Sequence, residues 1–484
     1  MNFISLAFGV FIPIFLILYF VIPNKYRYIL ILIGSYVFYG YGNPGLLLFL
    51  VSTTIITYLG GLLIEKKESK GILILFFLLN ILILIVFKYT NFAIQNVNIL
   101  LMRFGSEGLK ELSLILPVGL SFYIFQSCTY LTDVYRKKIS AEKNIMLYAS
   151  FVSFFPTILM GPIQKSRELI PQLRAPKQYD YDRAEEGTVL FAWGLFEKIL
   201  VANNLYIVVD RVYSDLETYG PMFILLAVVS FSIYIYADFS SYSDMARGIA
   251  MVMGIDVGRN FLNPYLSVTT GEFWNRWHAS LNDWFKENIY IPLGGNRKGK
   301  LRKYINVMVV FLVSGLWHGS SWHFIIWGLL NGILVVFGNV LIPVKNRVYS
   351  AIGVDEDSQC LRTLKRMGVF ILITLTWVLF QNGISETLYI YKQLANLRIF
   401  HFFNENIFSA AQTVPKTFAT VLATLFFVFV QCKRQDEVAL WSSIKAKPII
   451  FRYFLLAVMI VVISFGIFTA IDVEMSTKFV YFNF

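Results

Sequence analysis

The chain has only four histidines, and they are the side chains best suited to moving a proton near neutrality. His318 lies in Ser314-Gly315-Leu316-Trp317-His318-Gly319, inside a stretch from Tyr304 to Val344 that contains no Asp, Glu, Lys or Arg. A histidine in such a run sits at membrane depth, where ionisable groups are rare and tend to be functional. An ordinary imidazole pKa of about 6.5 lets it both take and give a proton. Two readings stand side by side: a base that deprotonates a substrate hydroxyl, and a structural histidine bonded between helices. His278, in Phe273-Trp274-Asn275-Arg276-Trp277-His278-Ala279-Ser280, is the second candidate. Anchoring at a membrane interface accounts for its tryptophans and arginine but not for the histidine. His323 follows His318 by five positions, the wrong spacing for two ligands on one helical face, and no H-E-x-x-H occurs, so no metal site is expected. His401, in His401-Phe402-Phe403, reads as a surface residue.

Other chemistries find less support. The G-x-S-x-G of a serine hydrolase is absent. Gly40-Tyr41-Gly42-Asn43-Pro44-Gly45 spells G-x-G-x-x-G, yet it joins two long apolar runs instead of a strand and a helix, so it reads as a turn and not a dinucleotide site. Gly328 and Gly332 in an apolar helix read as a close-packing face. Cys128, Cys360 and Cys432 are odd in number and far apart, and define neither a disulfide framework nor a metal knuckle. What the residues do support is an intramembrane base, with aromatic and amide groups around it holding the reactants.

The elements that position these residues follow from composition. Of 484 residues, 57% are hydrophobic and only 15% charged, against about 25% charged in soluble domains, so the surface faces lipid. The net charge of +12 is expected in cytoplasmic loops, with no nucleic-acid partner. A spanning helix needs about 20 mostly apolar residues. Residues 1–24 carry no charge and are followed by Lys25 and Arg27, the reverse of a signal peptide, which predicts a retained first span with its N-terminus outside. Residues 28–64 fit two helices broken at 40–45, after which Lys66, Lys67 and Lys70 return to the same side. Spans at 71–87 and 112–132 then place Arg136, Lys137 and Lys138 on that side again. Further candidates are 188–209, 218–237, 304–344, 367–385, 417–432 and 453–471. The expectation is an all-α integral membrane protein, one multi-span domain over 1–484, with roughly eleven transmembrane helices plus re-entrant and interfacial ones. The polar segment from Asp238 to Lys303 is where function should concentrate, because polar groups at membrane depth need protein or a water-filled cavity around them. No internal repeat of the kind found in many secondary transporters is visible.

Several unusual blocks occur in a fixed order: Tyr236-Ala237-Asp238-Phe239-Ser240-Ser241-Tyr242-Ser243-Asp244, Asn263-Pro264-Tyr265, Phe273-Trp274-Asn275-Arg276-Trp277-His278, Tyr290-Ile291-Pro292-Leu293-Gly294-Gly295-Asn296-Arg297 and Leu316-Trp317-His318-Gly319. With Leu116-Pro117-Val118-Gly119 and Gly161-Pro162-Ile163-Gln164 upstream and Phe479-Val480-Tyr481-Phe482-Asn483-Phe484 at the end, they resemble the membrane-bound O-acyltransferases, in particular the bacterial alginate O-acetyltransferase branch, over essentially the whole chain. Ser241 stands where glycine is common in that family.

The resemblance implies a multi-span helical body pinched to a thin central wall, its motif-rich core at about 112–344, in the bacterial plasma (inner) membrane. It implies transfer of an acyl group, first of all acetyl, from a cytoplasmic thioester to hydroxyls of an extracytoplasmic polysaccharide, with no bound cofactor. The donor would be acetyl-CoA or an acylated carrier protein. His318 would be catalytic and His278 its partner, supported by Trp317, Asn275, Arg276, Trp274, Asp238 and Asn296. Trp317, Asn275 or a backbone N–H would face the oxyanion. Alternatives are D-alanyl or peptidoglycan O-acyl transfer, and a relay or transporter serving a separate extracytoplasmic transferase. The basic run from Arg297 to Lys303 either receives an acidic donor or simply holds its loop inside.

Overall fold

Backbone polar groups in lipid must be satisfied within the chain, which restricts an apolar sequence of this kind to helices. The computed structural model describes residues 1–398 except 115, 354, 356 and 357, together with 414–433, 444–454 and positions 457, 461, 464 and 479. Among the described residues every regular element is helical. In chain order these are α1 (Leu6–Val21), α2 (Arg27–Gly40), α3 (Leu47–Lys67), α4 (Lys70–Arg103), α5 (Leu120–Tyr135), α6 (Ile145–Val152), α7 (Ser166–Arg174) and α8 (Tyr181–Phe196). A π-helical turn, Glu197–Ala202, carries α8 into α9 (Asn203–Ser214), and α10 (Pro221–Val252) follows. Two short helices, α11 (Thr270–Arg276) and α12 (Ala279–Phe285), precede α13 (Gly299–His318), α14 (Trp322–Val340), α15 (Ile342–Ala351), α16 (Gln359–Gln381), α17 (Ile384–Ala395) and a further helix, Val414–Lys433.

Among the described residues seven helices are long and apolar enough to cross a membrane: Pro44–Lys67, Lys70–Arg103, Tyr181–Ser214, Pro221–Val252, Trp322–Val340, Gln359–Gln381 and Pro415–Lys433. The expected count of roughly eleven is not confirmed: among the described residues several of the apolar runs make short helices. The span expected at 112–132 is α5, which begins only at Leu120, after Gly119 turns the chain at φ +78°. Its 16 residues rise about 24 Å against a hydrocarbon core of about 30 Å. It is buried along nearly its whole length, against α3, α4, α6 and α7. α1 and α2 have 16 and 14 residues. The candidate at 453–471 lies largely outside the described residues. In the opposite sense, the span expected to stop at Phe87 belongs to a helix of 34 residues that runs through Lys88 to Arg103.

The three basic loops that alternation put on one side do meet at one end. Lys137 pairs with Glu68 at 2.7 Å, and the Ala141 N–H donates to Glu65 at 2.8 Å. Arg27 donates to the Lys177 carbonyl at 2.6 Å, and Asn144 donates to the Tyr28 hydroxyl at 3.0 Å.

Small residues set the helix spacing. A Cβ on Gly187 of α8 would lie 2.6 Å from the Gly248 carbonyl oxygen of α10. Likewise a Cβ on Gly328 of α14 would overlap the Phe311 carbonyl of α13, and one on Gly315 would overlap that of Phe324. Gly328 and Gly332 thus form the close-packing face that their spacing suggests, and the backbones approach because no side chain intervenes.

A cluster of charges fixes the segment after α12. Glu287 accepts from Arg167 at 2.7 Å and from Lys138 at 3.0 Å, and pairs with Lys165 at 3.2 Å. Arg167 also donates to Asp133 of α5 at 2.7 Å, and Lys165 reaches Asp283 of α12 at 3.0 Å. Burial alone would raise the Glu287 pKa, but the hydrogen bonds and positive charges of Arg167, Lys138 and Lys165 outweigh it and bring it down to about 2.

Gly328→Ala should cost about 1–3 kcal/mol through overpacking, seen as a lower melting temperature of the detergent-solubilised protein; an unchanged melting temperature would show that α13 and α14 can part freely. A carboxyl with a depressed folded pKa stabilises above its unfolded value and loses that stabilisation as pH falls through the folded one. Glu287→Gln should therefore be less stable than wild type above pH 5, by on the order of 1 kcal/mol once solvent screening of this part-exposed group is allowed for. The two proteins should converge as pH approaches 2, which parallel melts across pH would check.

Candidate active site

Helical spacing brings Phe311, Ser314 and His318 onto one face of α13, at i, i+3 and i+7. Facing them across a cavity of about 50 Å³ are Trp274 of α11, then Trp277 and His278, then Leu281, Asn282 and Phe285 of α12. The two candidate histidines therefore line one cavity.

His278 is held in an unusual backbone conformation, φ +48°, where a β-carbon is normally unwelcome. Asn260 holds it there. The Asn260 carbonyl accepts the Ala279 N–H at 2.8 Å, and its Oδ1 accepts the Ser280 hydroxyl at 2.8 Å and faces His278 Nδ1 at 3.0 Å. Its Nδ2 in turn donates to Ser243 of α10 at 3.3 Å. Facing an acceptor oxygen, His278 Nδ1 carries the proton and Nε2 presents a lone pair. Nε2 is buried, with no hydrogen-bond partner among the described residues.

His318 ends α13, 5% exposed, with its ring edge-on to Trp317, Trp327 and Phe380 at centroid distances of 4.8, 5.1 and 5.3 Å. Trp317 stands between the two histidines, 6.1 Å from the His278 ring. The buried indole N–H groups of Trp274, Trp317 and Trp327 find no acceptor among the described residues. Orphaned buried donors are uncommon, and a cluster of them beside two imidazoles suits an oxygen that becomes negative during reaction.

Two residues of α4 complete the end of α13. Lys88, buried, donates to the carbonyls of Trp317 at 2.5 Å and His318 at 2.9 Å, while the neighbouring Tyr89 hydroxyl donates to the Leu316 carbonyl. Sequence reasoning missed both, along with Asn260. The available signal was a single lysine bounded by lipid-length apolar sequence, which looks like the end of a span.

The other expected supporting residues lie apart from the cavity wall. Asn275 is exposed, but its Oδ1 accepts from Asn282 at 3.1 Å, and Asn282 lines the cavity. Arg276 pairs with Glu272 at 2.6 Å on the outer side of α11. Asn296 is exposed in the turns before α13. Asp238 is fully buried in the middle of α10 and pairs with Lys198 at 2.6 Å. His323 Nδ1 faces the Leu379 carbonyl at 3.0 Å instead of the cavity, and His401 lies outside the described residues. Among the described residues no three His, Cys, Asp or Glu side chains are grouped to hold a metal.

With this geometry in hand, comparisons with known proteins agree on one family. Residues 75–348 match the model of MBOAT, the membrane-bound O-acyltransferase family. The probable alginate O-acetylase AlgI of Pseudomonas putida is 34% identical over 377 residues, 77% of this chain and 75% of that protein. The peptidoglycan O-acetyltransferase of Helicobacter pylori is 33% identical over 398 residues, 76% of this chain and 73% of its own. The teichoic acid D-alanyltransferase of Bacillus subtilis is 26% identical over 243 residues, 47% of this chain and 60% of its own. A lipid-embedded helical body with two histidines on one buried cavity thus meets a match over most of its length: the chain belongs to the membrane-bound O-acyltransferase family and is an O-acyltransferase.

Proposed function

We propose that this protein moves an acetyl group from a thioester donor at the end bearing the basic loops to a hydroxyl of an exported polysaccharide, within the cavity between α12 and α13. The observation that carries the reading is the meeting of His278, His318 and unpartnered indole N–H groups around that cavity. In the reaction the acceptor oxygen attacks the thioester carbonyl while His318 takes its proton. The His278 Nε2 lone pair accepts a hydrogen bond from a neighbouring hydroxyl of the acceptor sugar and so orients it. The tetrahedral oxyanion is met by the Trp274 or Trp317 N–H, the C–S bond breaks, and the leaving thiolate takes the proton back from His318.

The size of the cavity favours a short acyl group. At about 50 Å³ it is a third of the volume, about 150 Å³, that accommodates a benzene ring. D-alanyl transfer is disfavoured by charge, because among the described residues no carboxylate lines the cavity to pair an ammonium. The named relatives include enzymes for alginate and for peptidoglycan at nearly equal identity, 34% and 33%. An alginate-like exopolysaccharide is the first acceptor to test and peptidoglycan the second. A separate extracytoplasmic transferase would use the same cavity and differ only in what presents the hydroxyl. In this reading the chain is one functional body in a bacterial plasma membrane, its N-terminus outside and its basic loops cytoplasmic, where acetyl-CoA or an acylated carrier protein docks.

In a strain whose only copy carries His318→Gln, ester-linked acetate on one exported polymer should fall by about 100-fold or more, with the protein at normal abundance in the membrane. Normal acetylation of both exopolysaccharide and peptidoglycan in that strain would remove His318 from the mechanism.

A further inference from the structure

Helix α13 stops at His318 because Gly319 turns into extended backbone, φ −162° and ψ 160°. The last carbonyls of a helix have no partner within it and need one from elsewhere. At three successive positions, Leu316, Trp317 and His318, that partner is a side chain of α4: Tyr89 for the first and Lys88 for the other two. Lys88 makes no ion pair among the described residues. Its amine instead donates to carbonyls at the negative end of the α13 macrodipole, where a cation is favourable.

The residue whose carbonyl Lys88 holds is the residue whose imidazole faces the cavity. We propose that Lys88 is a positioning residue for acyl transfer, a cap supplied in trans that fixes the final turn of α13 and with it the His318 ring. The inference rests on His318 being the base. It explains why a lysine occupies the middle of a lipid-length helix, where its nearest carbonyl partner is 229 residues away in sequence. A neutral isostere would leave two buried carbonyls without donors and let the turn relax, and a shift of about 1 Å at a reacting group can cost about 100-fold in rate.

The test compares Lys88→Met, Lys88→Gln, Lys88→Arg and Tyr89→Phe as sole copies in cells. The readout is the initial rate of ester-acetate appearance on exported polymers per unit of membrane-embedded protein. Lys88→Met should fall by about 100-fold, and Tyr89→Phe, which frees one carbonyl one residue further back, by several-fold. Arginine keeps both the charge and the donors, so Lys88→Arg should recover most of the rate; a residue that merely fills space would be replaced better by methionine. If Lys88→Met does not accumulate in the membrane, the remaining pair decides: Lys88→Arg faster than Lys88→Gln at equal abundance supports the cap, and equal rates overturn it. Lys88→Met at the wild-type rate also overturns it. His318→Gln is measured alongside: a normal rate there sinks the base assignment itself, whereas an inactive His318→Gln beside a full-rate Lys88→Met sinks only the role of Lys88.

Discussion

A helix that ends buried inside the protein leaves carbonyls that must find donors there, and the architecture around His318 is organised by that constraint. A loop at the end of α13 is required if His318 is to face a cavity instead of lipid, and a loop there is tolerable only when protein supplies the missing donors. Those donors come from α4, so α4 must run unbroken past the point where its apolar sequence is interrupted. The glycine contacts between α13 and α14 hold the same turn from the other side. Trp327 and Phe380, on α14 and α16, then close over the imidazole.

Other buried charges serve packing. Asp238 pairs with Lys198, and Glu197 accepts from Ser240 at 2.9 Å and from Gln431 at 3.0 Å. The π-helical turn presents Glu197 and Lys198 together to α10, and Phe479 lies 4.4 Å from the lysine ammonium. Breaking one partner of a buried pair is costly, because the other charge is left without compensation. The network therefore fixes how α8, α10 and the helix Val414–Lys433 register against one another. Asp238 and His278 occur in neighbouring sequence motifs: Asp238 pairs with Lys198, while Phe239 beside it packs edge-on against the His278 ring at 4.8 Å.

How much of this is visible in the sequence depends on whether the cause is local. His318, His278, Trp274 and Trp317 stand out by residue type in an apolar setting; the cavity brings the first three together, and the Trp317 ring packs against both imidazoles. The basic loops meet at one end because charge alternation along the chain is local information too. By contrast, a 16-residue helix buried in protein and a span exposed to lipid have similar composition, so the length rule counts α5 among the spans. Lys88 looks like a helix end because its compensation lies on α13, far along the chain. Asn260 is one asparagine among many until its side chain is seen holding His278 and Ser280 to α10.

The long-range cap has a consequence for how the protein is made. Synthesis proceeds at about 5–20 residues per second, so once Lys88 is incorporated, the 229 residues that separate it from Trp317 take about 11–46 s to follow. During that interval α4 carries an uncompensated ammonium in a helix otherwise suited to lipid. A lysine in that position is expensive to bury alone and extends its stem toward the interface. The finished seat of α4 is thus available only after α13 has been delivered, and the step that completes the reaction centre also relieves the least comfortable charge of the nascent chain.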